Sequence, residues 1–158
     1  MTEGAHVLDS VRLAASLAMP SDPDLAHEIR VATFDLVETN MFRPTNGARG
    51  PFALEVGLED NRLVLLVSAA ESDECGRLSV PLVSLRRLIK DYAIVCDSYV
   101  AAVRSMSPSQ IEAIDMGRRG LHDEAGALLR DKLAAHVEMD LATARRLFSL
   151  ICALLRRR

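Results

Sequence analysis

The sequence lacks a long apolar run. Its most apolar stretch, residues 147–155, is interrupted by Ser149 and is about half as long as the roughly 20 residues that a membrane-spanning helix needs. The first residues include Glu3 where a secretory signal would carry a basic stretch, and no apolar segment of signal length follows. We therefore expect neither a membrane span nor an export signal, and a location in the cytoplasm.

Cysteines are few, and their spacing does not pair them. Cys75, Cys96 and Cys152 are odd in number, and none belongs to a Cys-x-x-Cys motif. This pattern indicates neither a disulfide framework nor a zinc site, and free thiols suit a reducing compartment. Cys96 and Cys152 fall on apolar helical faces, where a thiol usually packs as a small hydrophobic side chain.

Catalytic and metal-binding signatures are also missing. The chain has no Gly-x-Ser-x-Gly, P-loop, dinucleotide-binding or His-Glu-x-x-His motif. His122 and Glu124, like His136 and Glu138, are two residues apart, so on a helix they would point in nearly opposite directions. We predict no metal and no cofactor, and the sequence favours a non-enzymatic protein without excluding an enzyme.

Length and composition are those of one folded domain. The 158 residues are 49% hydrophobic and 26% charged, which is enough apolar material for a single core. We predict one domain over residues 1–158, with a helix and a sheet in residues 1–83 and only helices in residues 84–158.

Charge is distributed unevenly between the two halves. Residues 1–77 carry 13 acidic and 6 basic side chains, and residues 78–158 carry 13 basic and 9 acidic ones. The basic excess is modest and interleaved with acids, so it does not indicate a nucleic-acid partner. Contact with RNA or the ribosome through Arg145, Arg146 and the terminal arginines 156–158 stays an alternative.

A helix is predicted from Pro23 to about Asn40, because Asp22 can cap its free N–H groups and proline suits the first helical position. Its apolar residues form two stripes rather than one, so we expect this helix to be packed on both sides. The stripes are Leu25, Ile29, Ala32 and Leu36, and Val31, Phe34, Val37 and Met41.

Strand signals lie on both sides of this helix. Alternating apolar residues predict a hairpin of two strands, then a polar loop and a third short strand, with a fourth near the N-terminus. We expect a small antiparallel sheet of three or four strands packed with helices, which is the α+β class. The hairpin covers 52–58 and 63–67, the loop 71–76, the third strand 78–82 and the fourth strand 7–13.

From Ser84 onward the apolar period becomes helical. Ser107 to Gln110 has the pattern of a capping box with proline in the first turn, which indicates that a second helix starts there. Asp140 is suited to cap a third helix. We predict three helices and no strand in residues 84–158.

A polar seam runs along the second of these helices. Asp115, Arg118 and His122 lie within or at the edge of its apolar arc, and Tyr92 and Tyr99 lie on the apolar face of the preceding helix. We expect these five side chains to converge. They form either a site for an anion or small ligand or an internal network that satisfies buried charge.

Two glycines flank the seam in the run Met116-Gly117-Arg118-Arg119-Gly120. The spacing is superficially that of the Gly-x-x-Gly loop of KH RNA-binding domains, but Asp123 stands where that pattern wants an apolar residue. The other interpretation is that these glycines let another segment pack closely.

Five segments of the chain form a recognisable set. They are 108–122, Phe34-Asp35-Leu36, Asn61-Arg62-Leu63, Lys90-Asp91-Tyr92 and 143–148. Together they resemble one bacterial family, the uncharacterised protein family 0262. The resemblance spans roughly residues 27–158 and implies a cytoplasmic protein of about this length, with no assigned activity, cofactor or catalytic residue.

The function is not determined by these patterns. Our leading hypothesis is an interaction or regulatory protein that works as a homodimer or binds an unidentified protein partner. The alternatives are a binder or enzyme for a small anionic ligand that uses Arg118 and His122, and an RNA-associated protein.

We expect dimerisation through the last helix, because apolar residues cover more than half its circumference. These are Leu141, Ala144, Leu147, Phe148, Leu150, Ile151, Leu154 and Leu155.

Overall fold

The computed structural model describes residues 4–17, 19–69 and 72–156, and for residues 72–75 it describes the backbone only. Four α-helices, a four-stranded sheet and a two-stranded sheet make up this part of the chain. The α+β class is therefore confirmed. The predicted roles of the Cys75 side chain, Arg157 and Arg158 lie outside the described residues.

Helix α1 spans Pro23–Glu38, and the Asp22 carboxylate accepts a hydrogen bond from the Asp24 N–H at 2.9 Å, as the capping pattern predicts. Only one face of the helix is buried in the chain, through Ala26, Ile29 and Leu36. In the second apolar stripe Val31 is 43% and Phe34 54% exposed, while Val37 and Met41 are half-buried. The prediction that this helix is packed on both sides is wrong.

The larger sheet contains strands β1 (Leu8–Leu13), β3 (Phe52–Glu59), β4 (Arg62–Ala69) and β5 (Ser72–Pro81), in the order β1-β3-β4-β5. The β3–β4 hairpin is confirmed, and its turn residues Asp60 and Asn61 have φ of 50° and 60°. Positive φ at both positions is typical of the type I′ turn, whose twist matches that of the strands. Strand β5 begins at Ser72, so the loop predicted over 71–76 is wrong.

Strand β1 corrects a second detail of the prediction, because it pairs with β3 in parallel. The other two pairings are antiparallel. Parallel neighbours need a long crossover connection, and helix α1 lies within the segment that joins β1 to β3. The sheet is therefore mixed, with β1 at its edge.

The smaller sheet joins the two halves of the chain. Strand β2 (Phe42–Pro44) pairs antiparallel with β6 (Val137–Met139), so the prediction of no strand after residue 84 is wrong. Each strand has three residues and alternates buried and exposed positions. So short a strand leaves almost no periodic signal in a sequence.

The three C-terminal helices are confirmed. Helix α2 spans Arg86–Ser105, α3 spans Pro108–Leu133 with the full capping box at Ser107, and α4 spans Leu141–Leu155. The Asp140 carboxylate accepts from the Thr143 N–H at 2.9 Å, as predicted.

Helix α4 lies at the centre of the described structure. It packs against α1 and α3, and its apolar residues belong to the same hydrophobic cluster as the buried face of the larger sheet. Leu147, Phe148, Leu150 and Ile151 are at most 1% exposed. The predicted dimer interface on α4 is therefore wrong, because the broad apolar arc is covered within one chain.

The three glycines of α3 differ in what surrounds them. No atom would lie within 4 Å of a Cβ on Gly117 or Gly120, so the prediction of close packing at these two positions is wrong. Both lie inside α3, which also excludes a Gly-x-x-Gly loop. The close approach occurs at Gly126, where a Cβ would lie 2.8 Å from Cγ and 3.3 Å from the backbone nitrogen of Arg145 in α4.

We predict that Gly126→Val destabilises the protein by about 1–3 kcal/mol, because its methyl groups force α3 and α4 apart. Gly117→Val is the matched control in the same helix and should change stability by less than about 0.5 kcal/mol, since the site is open and valine is the better helix former. Urea unfolding measures both. Equal stabilities would show that α3 and α4 do not approach closely at Gly126.

Candidate functional site on the α2–α3 hairpin

Helices α2 and α3 form an antiparallel hairpin, connected at Met106 and Ser107. Contacts along it run in opposite directions on the two helices: Arg87 pairs with Glu124, while Tyr99 lies next to Arg118. The tyrosines of α2 therefore face the polar seam of α3.

Arg118 is at the centre of this seam. Its Nη2 lies 2.6 Å and its Nε 3.0 Å from Oδ1 of Asp115, and its guanidinium carbon lies 5.5 Å from the centre of the Tyr99 ring. Asp115 also pairs with Arg119 at 2.9 Å. The hydrogen bond from Arg118, the largest favourable influence, lowers the pKa of the Asp115 carboxyl. The carboxylate is thus ionised and shared by two arginines.

Tyr92 connects this ion pair to the core. Its hydroxyl interacts with the Arg118 guanidinium and the Cys96 thiol, and burial is the main cause that raises the pKa of Tyr92 to about 12. The phenol therefore stays protonated at neutral pH. It therefore does not serve as a base.

His122 occupies the other side of the Tyr92 ring. The two rings stack with centroids 5.0 Å apart, and Phe148 of α4 contacts Tyr92 edge-on at 5.8 Å. The Nε2 atom of His122 lies 2.9 Å from both the Arg145 carbonyl oxygen and Ser149 Oγ. A carbonyl oxygen only accepts, so Nε2 carries the proton and donates it.

The electrostatics of His122 follow from its surroundings. Burial lowers the pKa of the imidazole, with a smaller opposing effect from the Arg145 carbonyl. The ring is therefore neutral at pH 7 and supplies no positive charge for an anion.

The structure thus brings all five predicted residues into one continuous set of contacts. Asp115, Arg118, Tyr99 and Tyr92 meet on the hairpin, and His122 joins them through Tyr92 while binding α4. Whether this cluster takes a ligand stays a prediction. Sequence reasoning missed Ser149, although a single serine in the most apolar stretch of the chain was a signal.

A cavity of about 600 Å³ opens beside Tyr92, between α1, α2 and α4. Three of its lining residues are carboxylates, and its one arginine, Arg156, pairs with Glu28 at 3.0 Å. Arg118 is not among the lining residues. These are Asp24, His27, Glu28, Val31, Ala32, Asp35, Tyr92, Cys96, Ser149, Cys152 and Arg156.

Both cysteines that line the cavity are held as thiols. Burial raises the pKa of Cys96 and raises that of Cys152 to about 12. A protonated thiol is a weak nucleophile and a poor metal ligand. Within residues 4–17, 19–69 and 72–156, no group of three or more His, Cys, Asp or Glu side chains is arranged to hold a metal ion.

A second cavity lies on the other side of α1, where the helix crosses strand β1. It measures about 590 Å³, and we call it the α1–β1 groove. Its wall is almost entirely apolar, with charged side chains at the rim. It is lined by Val11, Arg12, Leu13, Met19, Ile29, Arg30, Thr33, Phe34, Val37 and Glu38. The signal for this groove in the sequence was the second apolar stripe of α1, which we had assigned to the core.

Comparison with known proteins decides the family. Residues 5–157 match the model of the Uncharacterised protein family (UPF0262). The chain belongs to this family. Curated UPF0262 proteins include one from Chelativorans sp. that is 52% identical over 133 residues, covering 84% of this chain and 83% of the relative.

Two further UPF0262 relatives show how far the likeness extends. The protein from Agrobacterium fabrum is 45% identical over 154 residues and covers 98% of both chains. The protein from Rhizobium johnstonii is 48% identical over 134 residues and covers 85% of both chains. No solved structure matches the chain significantly. The family description and the names of these relatives assign no activity.

The lowered pKa of His122 predicts how stability depends on pH. The unfolded chain, in which the imidazole has its ordinary pKa of 6.5, binds a proton more readily than the folded chain. The free energy of unfolding should therefore fall as the pH is lowered through 6.5, until the folded-state pKa is reached. His122→Gln should flatten this slope.

Urea unfolding at a series of pH values measures the slope. His27→Gln, which removes an exposed histidine from α1, is the matched control for the loss of one imidazole. If His122→Gln keeps the slope of the unmodified protein, His122 does not titrate differently in the folded and unfolded states.

Proposed function

We propose that this UPF0262 protein is a non-enzymatic interaction protein of the bacterial cytoplasm that binds a protein partner through the outer face of helix α1. The observation that carries this proposal is the exposed apolar surface formed by that face and the α1–β1 groove. The proposal treats residues 1–158 as one domain, which the single hydrophobic cluster drawn from both halves supports.

The apolar residues of this surface lie close together rather than scattered. Val31 is 43% and Phe34 54% exposed on one helix, and Met19, 43% exposed, lines the same groove as Phe34. Single exposed apolar residues are ordinary, but a contiguous apolar patch with a charged rim is typical of a protein interaction site. Such a surface gains free energy when a partner removes it from water.

Strand β1 adds to this surface because it lies at the edge of the sheet, next to the groove. An edge strand has free backbone N–H and C=O groups on its outer side. Its Arg12 pairs with Glu55 of β3 at 3.0 Å, so this charged side chain is held along the sheet. At Leu8 this outer side is already covered, because the Leu8 N–H donates to Asn40 Oδ1 at 2.7 Å and the Leu8 C=O accepts from Asn40 Nδ2 at 3.0 Å. What the groove offers a partner is therefore chiefly its apolar wall.

The polar cluster of the α2–α3 hairpin supports a structural role for that region. Arg118 is hydrogen-bonded to Asp115 and lies over the Tyr99 ring, and the Nε2–H of His122 donates to the Arg145 carbonyl oxygen of α4. These groups hold the hairpin onto α4. The neighbouring cavity is lined by three carboxylates and by one arginine that is already paired with Glu28, which disfavours the anionic ligand of our alternative hypothesis.

The arginines of α4 also support the choice of a protein partner over a nucleic acid. Arg145 pairs with Asp123 at 2.7 Å, Arg146 donates to the Thr39 carbonyl, and Arg156 pairs with Glu28. A phosphate backbone is bound by cations that are available to it. Arg145 and Arg156, which are already paired with carboxylates, are less available to a phosphate.

Protonated thiols predict slow alkylation of the folded protein. In a Cys75→Ser background, iodoacetamide at neutral pH should leave Cys152 unmodified in the folded state and modify it readily in urea. Mass spectrometry of tryptic peptides measures both. Rapid modification of Cys152 in the folded protein would indicate an activated thiolate and would count against a non-enzymatic protein.

The proposed binding face is tested in the cell by a photoreactive benzoyl-phenylalanine at position 34. We expect irradiation to attach this side chain to a protein, which a shift on denaturing gels reveals and mass spectrometry identifies. The same amino acid at exposed position 112 of α3 is the control and should give no adduct. Absence of any protein adduct at position 34, with the variant expressed and folded, would refute the proposal.

A further inference from the structure

The outer face of α1 has a symmetric arrangement about Phe34. Val31 lies three residues before it and Val37 three after, while Arg30 lies four before and Glu38 four after. On an α-helix, positions three and four residues from a centre lie on the same side as that centre. The face therefore carries apolar residues at its middle, a cation toward one end and an anion toward the other.

This arrangement matches its own copy when the copy is turned by a two-fold rotation. If two α1 helices pack antiparallel with the axis at Phe34, positions equally far before and after Phe34 come level with each other. Arg30 of each copy then faces Glu38 of the other, and Val31 faces Val37. A two-fold interface requires this kind of self-complementarity.

The two charged residues are available for such contacts. Both Arg30 and Glu38 are exposed, and neither forms an ion pair or side-chain hydrogen bond with another residue of the part of the chain that the structure describes. Both lie at the rim of the α1–β1 groove. Their charges are thus uncompensated beside an apolar surface, where an opposite charge from a partner would be favourable.

The surfaces that flank Phe34 leave room for a second helix. The α1–β1 groove lies on the Val37 side of the ridge, and the cavity that faces α2 and α4 lies on the Val31 side. Packed helices approach to about 8–10 Å by placing the side-chain ridge of one between the ridges of the other. The exposed Phe34 ridge, with a depression on each side, fits this geometry.

Other exposed apolar residues on the helices do not have this pattern. Lys90 lies four residues before the exposed Ile94, and Ser98 lies four after it. Glu112 and Gly120 lie four residues before and after the exposed Met116. Neither pair brings opposite charges together in an antiparallel copy. The self-complementary pattern thus distinguishes α1 from the exposed faces of α2 and α3.

We propose that the partner bound by α1 is a second copy of this chain, held in a two-fold homodimer by antiparallel packing of the α1 helices around Phe34. This inference rests on the proposed function, because it names the occupant of the binding face. Apolar contact at Phe34, Val31 and Val37 supplies most of the affinity. The two symmetric Arg30–Glu38 pairs select the antiparallel arrangement.

The test uses the purified full chain and charge-reversed variants. Sedimentation equilibrium should give twice the 17.3 kDa mass for the unmodified protein at tens of micromolar and one chain mass for Phe34→Asp. Arg30→Glu alone places acids at both positions 30 and 38, and Glu38→Arg alone places bases at both, so like charges would meet across the interface. Each single reversal should raise the dimer dissociation constant at least tenfold.

Two combinations should restore the dimer. The double variant Arg30→Glu with Glu38→Arg exchanges the charges and keeps both pairs, and an equal mixture of the two single variants forms a heterodimer with both pairs intact. Rescue in both shows that position 30 faces position 38 of the other copy. Circular dichroism and melting temperatures close to those of the unmodified protein show that the variants are folded.

A monomeric unmodified protein at tens of micromolar would overturn the homodimer, and charge reversals that leave dimerisation unchanged would overturn the antiparallel packing of α1 against α1. These results are distinguishable from failure of the proposed function. A monomer whose position 34 still attaches to a different protein in the cell would refute the second copy and leave α1 as a binding face. A monomer with no adduct at that position would refute both.

Discussion

The fold depends on covering helix α4. Apolar side chains surround more than half of this helix, and Leu150 and Ile151, although adjacent in sequence and thus about 100° apart on the helix, are both fully buried. A helix of this kind is stable in water only when neighbours cover it from several directions. Helices α1 and α3 and the inner face of the sheet do so, which is why the chain builds its layers around its last helix.

Polar contacts at the N-terminal end of α4 fix the position of this buried helix. Thr143, the buried polar residue of the described chain, accepts a hydrogen bond from the Met41 N–H at 2.9 Å, and β6 pairs with β2 immediately before the helix begins. A buried hydroxyl without a partner would cost free energy. The start of α4 is therefore held in register with the end of α1, and the two helices are placed side by side.

Local patterns predicted most elements, and the errors have identifiable physical causes. The capping box at Ser107 and the cap at Asp140 located two helix starts correctly, since caps act through neighbouring backbone groups alone. The parallel pairing of β1 and the β2–β6 pair were missed because both depend on contacts between residues far apart in the chain. The second stripe of α1 and the apolar arc of α4 look alike in sequence, and only the three-dimensional arrangement shows that one is exposed and the other buried.

The hairpin cluster was predictable because Asp115, Arg118 and His122 share one face of a single helix, whereas Ser149 reaches His122 from a different element.

The position of α4 in the chain has a consequence for biosynthesis. Among the described elements α4 is the last to leave the ribosome, and it is also the one against which the others pack. Until it emerges, the inner faces of α1 and of the sheet have no permanent cover, and the edge strands of the nascent sheet lie close to exposed apolar surface. Such intermediates expose apolar surface that favours aggregation. A chain whose synthesis stops before residue 141 therefore lacks the helix that covers the inner faces of α1 and of the sheet.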